Sequence, residues 1–218
     1  TLLAHILTSS PEIFGMGESK IQLTGRSDYR RLVGKNLYFH WYNDLPRNKG
    51  ERYILDKLVH NHLLDPRDIG LLKDPRVRII FLIREPRATL ASFMRAIKTD
   101  ETSAAKYLLQ RLTTLQQYAQ DLAPQKRSLL LSYRQLLHCT QPAFDLLQDY
   151  LQLQHPLSEQ YEVTSTTGAF GRGDKSEQIK SGRIVTPTKL PDKPLSADTL
   201  AAVQAAHTQC LRVLRRNC

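Results

Sequence analysis

Arg84 and Ser92 are the residues whose types and spacing most directly suggest chemistry. They belong to the stretch RVRIIFLIREPRATLASF, residues 76–93, in which an apolar run from Ile79 to Ile83 leads straight into an arginine. A Glu-Pro-Arg turn follows, and then a helical pattern that carries Ser92 eight positions after Arg84. An arginine fork leaving a strand and a hydroxyl from the next helix can converge into a compact phosphate clamp. The competing reading is an arginine that closes the strand and pairs with a nearby carboxylate such as Glu85. Lys57 and Tyr133 occupy comparable places, each at the end of an apolar run in RYILDK and RSLLLSY.

Such side chains reach one place only if strands deliver them. Residues 52–57, 77–83 and 127–133 read as strands, the middle one a continuous apolar run of the kind found in sheets covered on both faces. Helical periodicity is expected over 2–9, ended by Ser10-Pro11, and over 87–97, where Pro86 suits the first turn. Further helices are expected over 102–120, after a Thr140 cap, and after a Ser196 cap. Residues 24–50, basic and aromatic, read as irregular or short helices, and residues 163–195 as a long functional loop. Strands alternating with helices predict a parallel α/β sheet with right-handed crossovers, in one domain spanning 1–218. Ligands of such sheets bind beyond the carboxyl ends of the strands, the edge at which Lys57, Arg84 and Tyr133 would arrive.

The formal net charge of +10 favours anionic partners, whether nucleic acid, membrane surface or phosphate- and sulfate-bearing ligands. Cys139, Cys210 and Cys218 are odd in number and widely spaced, which fits a reducing compartment better than a disulfide framework. No apolar run approaches the roughly 18–20 residues needed to span a bilayer. His60 and His62 lack further ligands at metal-site spacing, so no metal is expected. The absence of Asn-x-Ser/Thr sequons points to a bacterial cytoplasmic protein, with a lumenal fragment as the alternative. The chain opens on Thr1-Leu2-Leu3 and reads as starting inside a structural unit.

FLIREPRATLASF resembles the 3′-phosphate-binding segment of sulfotransferases that use 3′-phosphoadenosine 5′-phosphosulfate (PAPS). In that family a buried strand ends in Arg, an acidic residue and a turn, and a helix presents Ser eight residues after the Arg. TLLAHILTSSPEIFGMGES is similar to the segment that follows the family's 5′-phosphosulfate loop, so Thr1 and Leu2 would be that loop's tail. The Arg-Ser-Gly part of the loop and its strand are not in this sequence. The resemblance implies a P-loop NTPase-like, three-layer parallel α/β fold. It implies Glu18 as the base that deprotonates an acceptor hydroxyl, which requires hydrogen-bond reach of roughly 2.6–3.2 Å. It implies Lys57 as the cation that meets charge developing on the bridging oxygen, and Arg84, Ser92 and Tyr133 as nucleotide contacts. LLLSYRQLL departs from the family in replacing the usual acidic pair after the Tyr by Arg134 and Gln135. GRGDKSEQIKSGRIV, 171–185, looks like a late loop that closes over the donor phosphates, with Lys175, Lys180 and Arg183 as its cations.

The implied reaction moves a sulfuryl group from PAPS to a hydroxyl of a carbohydrate, a small molecule or a peptide tyrosine, without metal. A P-loop kinase would instead need a Gly-Lys-Ser/Thr loop and an acidic magnesium ligand, for which Asp56 is the candidate. A basic nucleic-acid-binding module is the third reading. Its cations would be striped rather than scattered, and no nucleic-acid motif is present, so nucleic acid is not an expected partner.

Overall fold

The computed structural model describes residues 1–43, 50–59, 61, 74–164, 167–168, 174, 176–186 and 194–218. In chain order the elements are α1 (Leu2–Thr8), β1 (Ile13–Phe14), α2 (Arg26–Tyr42), β2 (Tyr53–Ile54), β3 (Ile79–Ile83), α3 (Pro86–Ile97) and α4 (Glu101–Leu122). They continue with β4 (Ser128–Ser132), α5 (Tyr133–His138), α6 (Thr140–Leu151), α7 (Glu177–Lys180) and α8 (Ala197–Asn217). The chain separates into two compact units, Thr1–Leu63 with Leu136–Thr186, and Leu64–Gln135 with Pro187–Cys218. Each unit contains one parallel two-stranded sheet, so helices and small parallel sheets give the chain α/β character. Among the described residues no helix is long and apolar enough to cross a membrane.

In the first unit, β1 and β2 pair Ile13 with Tyr53 and Phe14 with Ile54. The strand expected over 52–57 is therefore short at its C-terminal end. Gly15 explains how close the two chains run: a Cβ there would meet the Leu55 carbonyl oxygen at 2.7 Å. Glu12, buried beside β1, ties this edge to the turn after α6. Its carboxylate accepts from the Gln154 and His155 amides at 2.7 and 3.0 Å and from Arg52 Nη1 at 3.1 Å. Burial acts to raise its carboxyl pKa, but the hydrogen bonds from His155, Arg52 and Gln154 outweigh it and hold the value at about 2.

Over residues 24–50, where the sequence predicts irregular or short helices, the described residues hold one continuous helix, α2, of seventeen residues, and residues 44–49 lie outside the described ones. Asp28 fixes its start by accepting from the Thr24 amide, the Thr24 hydroxyl and the Gly25 amide, within 3.1 Å in each case. The buried stripe is Asp28, Leu32, Asn36 and Phe39. Two of its four members are polar, which disguises the period, while Tyr38, Trp41 and Tyr42 are exposed on another side.

In the second unit β3 and β4 run in parallel, in register from Ile79 opposite Ser128 to Ile83 opposite Ser132. Helix α3 begins at Pro86 with Glu85 as its cap, and α4 begins after Asp100, whose carboxylate accepts from Ser103 N at 2.9 Å. Leu90 and Met94 of α3, Ala104 and Ala105 of α4 and Val203 of α8 form a shared apolar cluster. The small alanines let helices approach closely. Ser196 caps α8 as expected, accepting from Thr199 N at 3.3 Å. Thr140 does not cap α6: Cys139 occupies that position, and the Thr140 hydroxyl donates to the Leu136 carbonyl at 3.1 Å.

Candidate functional site

The candidate residues fall into two groups, one in each unit. In the first unit Gly17 adopts φ +84°, a left-handed conformation that suits glycine, and turns the chain so that Glu18 follows immediately. The Gly17 carbonyl accepts from the Lys57 amide at 2.7 Å, so Glu18 and Lys57 are set side by side by their backbones. Their side chains meet in an ion pair, Lys57 Nζ to Glu18 Oε1 at 2.7 Å, with Glu18 buried and Lys57 half-buried.

Thr1 completes this group. Its hydroxyl oxygen lies 3.2 Å from Lys57 Nζ and accepts from the Asp174 amide at 3.0 Å. Leu2 is buried with the apolar residues of α1, and its side chain is core. Asp56 serves the same turn from beneath. Its Oδ1 accepts from the Ser19 and Lys57 amides at 2.8 and 3.1 Å, and its Oδ2 from the Ser19 hydroxyl at 2.7 Å. Burial raises the Asp56 carboxyl pKa, with hydrogen bonds from Ser19 and Lys57 opposing and the Glu18 charge adding to the rise. Helix α2 holds the turn too, through Asn36 Oδ1, which accepts from Met16 N at 2.8 Å, and through Lys35, which donates to the Ser19 carbonyl.

A cavity of ≈ 20 Å³ adjoins the pair, lined among others by Thr1, His5, Glu18, Lys57, Thr164 and Thr167. That is room for about one water molecule. His5 is a component that the sequence reading missed. It is buried, and its ring stacks on Tyr161 at 5.7 Å with planes 8° apart. Nδ1 lies 3.3 Å from the Thr164 hydroxyl, and Nε2 lies 3.0 Å from the Thr167 hydroxyl. Burial, helped by nearby positive charge including Lys57, pushes its imidazole pKa down to about 4. The available signal was the spacing of Thr1, His5 and Ser9, one polar side chain every four residues along an otherwise apolar helix.

Of the late-loop cations, the two described ones, Lys180 and Arg183, are not among the residues that line this cavity. Lys180 pairs with Glu177 at 2.8 Å on exposed α7, and Arg183 is exposed in an isolated antiparallel bridge opposite Gln160. Lys175, His60 and His62 lie outside the described residues. Among the described residues no group of three or more His, Cys, Asp or Glu could hold a metal ion.

In the second unit Arg84 follows β3 and Tyr133 follows β4, and the parallel register brings both to the same end of that sheet. The Arg84 guanidinium lies over the Tyr133 ring, 4.8 Å from its centroid. Among the described residues no carboxylate pairs with Arg84. Glu85, the partner that a purely structural role would use, instead caps α3 by accepting from Ala88 N at 3.2 Å. Thr89 donates back to the Glu85 carbonyl at 2.8 Å. Ser92, half-buried one turn further along α3, makes no such bond, and its hydroxyl is unengaged among the described residues. His207 of α8 faces this turn; burial lowers its imidazole pKa, while the Glu85 charge and the Arg84 backbone oppose the shift.

Comparison with known protein families finds no family that matches this chain, and comparison with curated proteins finds no match.

Proposed function

We propose that this chain is a PAPS-dependent sulfotransferase with a three-layer, P-loop-like α/β fold. The observation that carries the reading is Arg84. It leaves a parallel strand, is held over an aromatic ring, and has no carboxylate partner among the described residues, while the Ser92 hydroxyl eight residues on is unengaged. A guanidinium held over a ring without a carboxylate partner, and a hydroxyl on the following helix without a side-chain hydrogen bond, both among the described residues, suit a phosphate dianion better than a structural role.

In this reading Arg84 and Ser92 hold the 3′-phosphate, with Tyr133 setting the guanidinium plane. Thr1 ends the 5′-phosphosulfate loop and Leu2 opens the helix that the loop feeds, and Lys175, Lys180 and Arg183 supply charge to the donor from the late segment. Lys57 meets the negative charge that grows on the bridging oxygen as the sulfur–oxygen bond to the phosphate breaks. The acceptor oxygen forms the new bond to sulfur, and Glu18 takes its proton. The products are a sulfate ester and 3′-phosphoadenosine 5′-phosphate. The 2.7 Å pair of Glu18 and Lys57 is then a resting arrangement: a donor that draws Lys57 away leaves the carboxylate able to accept a proton. The acceptor is a hydroxyl-bearing carbohydrate, small molecule or peptide tyrosine, and the setting a bacterial cytoplasm. A phosphotransferase reading has less support, because both Asp56 oxygens already bind Ser19.

The test is calorimetric titration of the full-length protein with 3′-phosphoadenosine 5′-phosphate and with ADP. The 3′-phosphate should tighten binding by about tenfold or more, at least ~1.4 kcal/mol. Arg84→Ala should erase the preference. Equal affinity for the two nucleotides removes the reading.

A further inference from the structure

Three polar residues of α1 and its flanks, Thr1, His5 and Ser9, all contact the segment that follows α6. Asp174 N donates to Thr1 Oγ1 at 3.0 Å, the hydroxyls of Thr164 and Thr167 flank the two ring nitrogens of His5, and Glu162 N donates to Ser9 Oγ at 2.8 Å. At its base the same segment is closed by Tyr161 N to the Gly182 carbonyl, 2.7 Å, and Ile184 N to the Glu159 carbonyl, 3.0 Å. The base alone fixes where this excursion starts and returns. The contacts with Thr1, His5 and Ser9 fix where its described residues lie relative to Glu18 and Lys57.

His5 is the centre of this arrangement. Thr164 N points at Nδ1 from 3.5 Å, so Nδ1 is the acceptor and Nε2 carries the hydrogen that Thr167 Oγ1 receives. A neutral ring in this tautomer serves both threonines at once, in agreement with its low pKa. Thr164, Thr167 and His5 line the same cavity as Glu18 and Lys57.

We propose that His5 is a positioning residue: by holding Thr164 and Thr167 it keeps a wall over the Glu18–Lys57 pair and so shields that pair from solvent. The shielding stands on the geometry alone. Only its consequence for donor affinity rests on the sulfotransferase reading.

Mass-spectrometric measurement of Lys57 acetylation by a small amine-reactive reagent, in the full-length protein, tests it together with amide exchange at 162–167. His5→Leu should raise both rates by about fivefold or more, while exchange in β3, β4 and α8 stays as in the wild type. His5→Asn, which can keep an acceptor toward Thr164, and His5→Gln, which can keep a donor toward Thr167, should each recover part of the protection. Should His5→Leu fail to fold, these two variants decide, each expected between wild type and full exposure of the segment. Wild-type rates in any folded variant that lacks both contacts overturn the proposal, and so does loss of protection that neither amide variant restores. With 3′-phosphoadenosine 5′-phosphate as probe, His5→Leu should weaken binding by about threefold to tenfold, one or two lost hydrogen bonds. Failure of the wild type to bind that probe would strike at the sulfotransferase reading and leave the acetylation result to decide the role of His5.

Discussion

The Glu18–Lys57 group and the Arg84–Tyr133 group use the same ingredients, a cation at or just beyond a strand end and a hydroxyl nearby, in opposite states. Lys57 is engaged by Glu18 and by the Thr1 hydroxyl, and every neighbour in its turn is hydrogen-bonded in several directions. Arg84 is oriented by a ring face and, among the described residues, is not paired with a carboxylate, and Ser92 makes no side-chain hydrogen bond among them. The first group is a closed network in which charge must be displaced before anything binds. The second, among the described residues, has no ion pair to displace. In the proposed sulfotransferase, such a difference would separate the place where charge moves from the place that only grips.

The sharpest way to break the comparison is Lys57→Ala. Removing the cation should lower sulfuryl transfer by about 100- to 1,000-fold, the size of a lost charge-stabilising group. It should also destabilise the fold by about 1–3 kcal/mol, because the buried Glu18 carboxylate loses its ion pair with Lys57. Chemical denaturation of the double variant Lys57→Ala/Glu18→Gln should recover most of that stability and none of the activity. Additive losses in the cycle would mean that the pair is not coupled.

Arg84→Ala is the counterpart, and its effects should divide the other way. Affinity for 3′-phosphoadenosine 5′-phosphate should fall by about tenfold or more, while denaturation shifts by only about 0.5–1 kcal/mol, the worth of an accessible cation–π contact. A large stability loss with unchanged affinity would make Arg84 a structural residue. Ser92→Ala should be smaller still, about fivefold in affinity, one net hydrogen bond, with no measurable change in melting temperature.

Acid distinguishes the units by a different route. The folded-state pKa of Glu12, about 2, is below its ordinary value of 4.5, so its contribution to stability is complete above 4.5 and disappears as pH falls toward 2. Glu12→Gln should flatten the decline of the first unit's melting temperature over that window and leave the second unit's curve unchanged.

The second unit was legible because its signals are redundant. Ile79 to Ile83 reads as a strand and is one, although Leu82 is exposed and the sheet of two strands does not cover it on both faces; Ser196 marks a helix start in its side chain, and Arg84 and Ser92 stand out by spacing alone. The first unit hides its logic in polar burial. Asp28 and Asn36 occupy the stripe that apolar residues would be expected to fill, so α2 looks irregular in the sequence. His5 sits among leucines and isoleucines, where helical periodicity registers only a gap in the apolar face. Its partners, Thr164 and Thr167, lie more than 150 residues away, and nothing local in the sequence pairs them with it.

The missing side chain at position 15 has a consequence for the Glu18–Lys57 pair. One methyl group there would act as a wedge against the Leu55 carbonyl and prise the two short strands apart. Glu18 and Lys57 lie only a few residues beyond that contact on the two separated chains, so the gap would open where their charges now touch. The reach of this carboxylate toward its cation is thus gauged by the thickness of a single hydrogen atom several residues upstream.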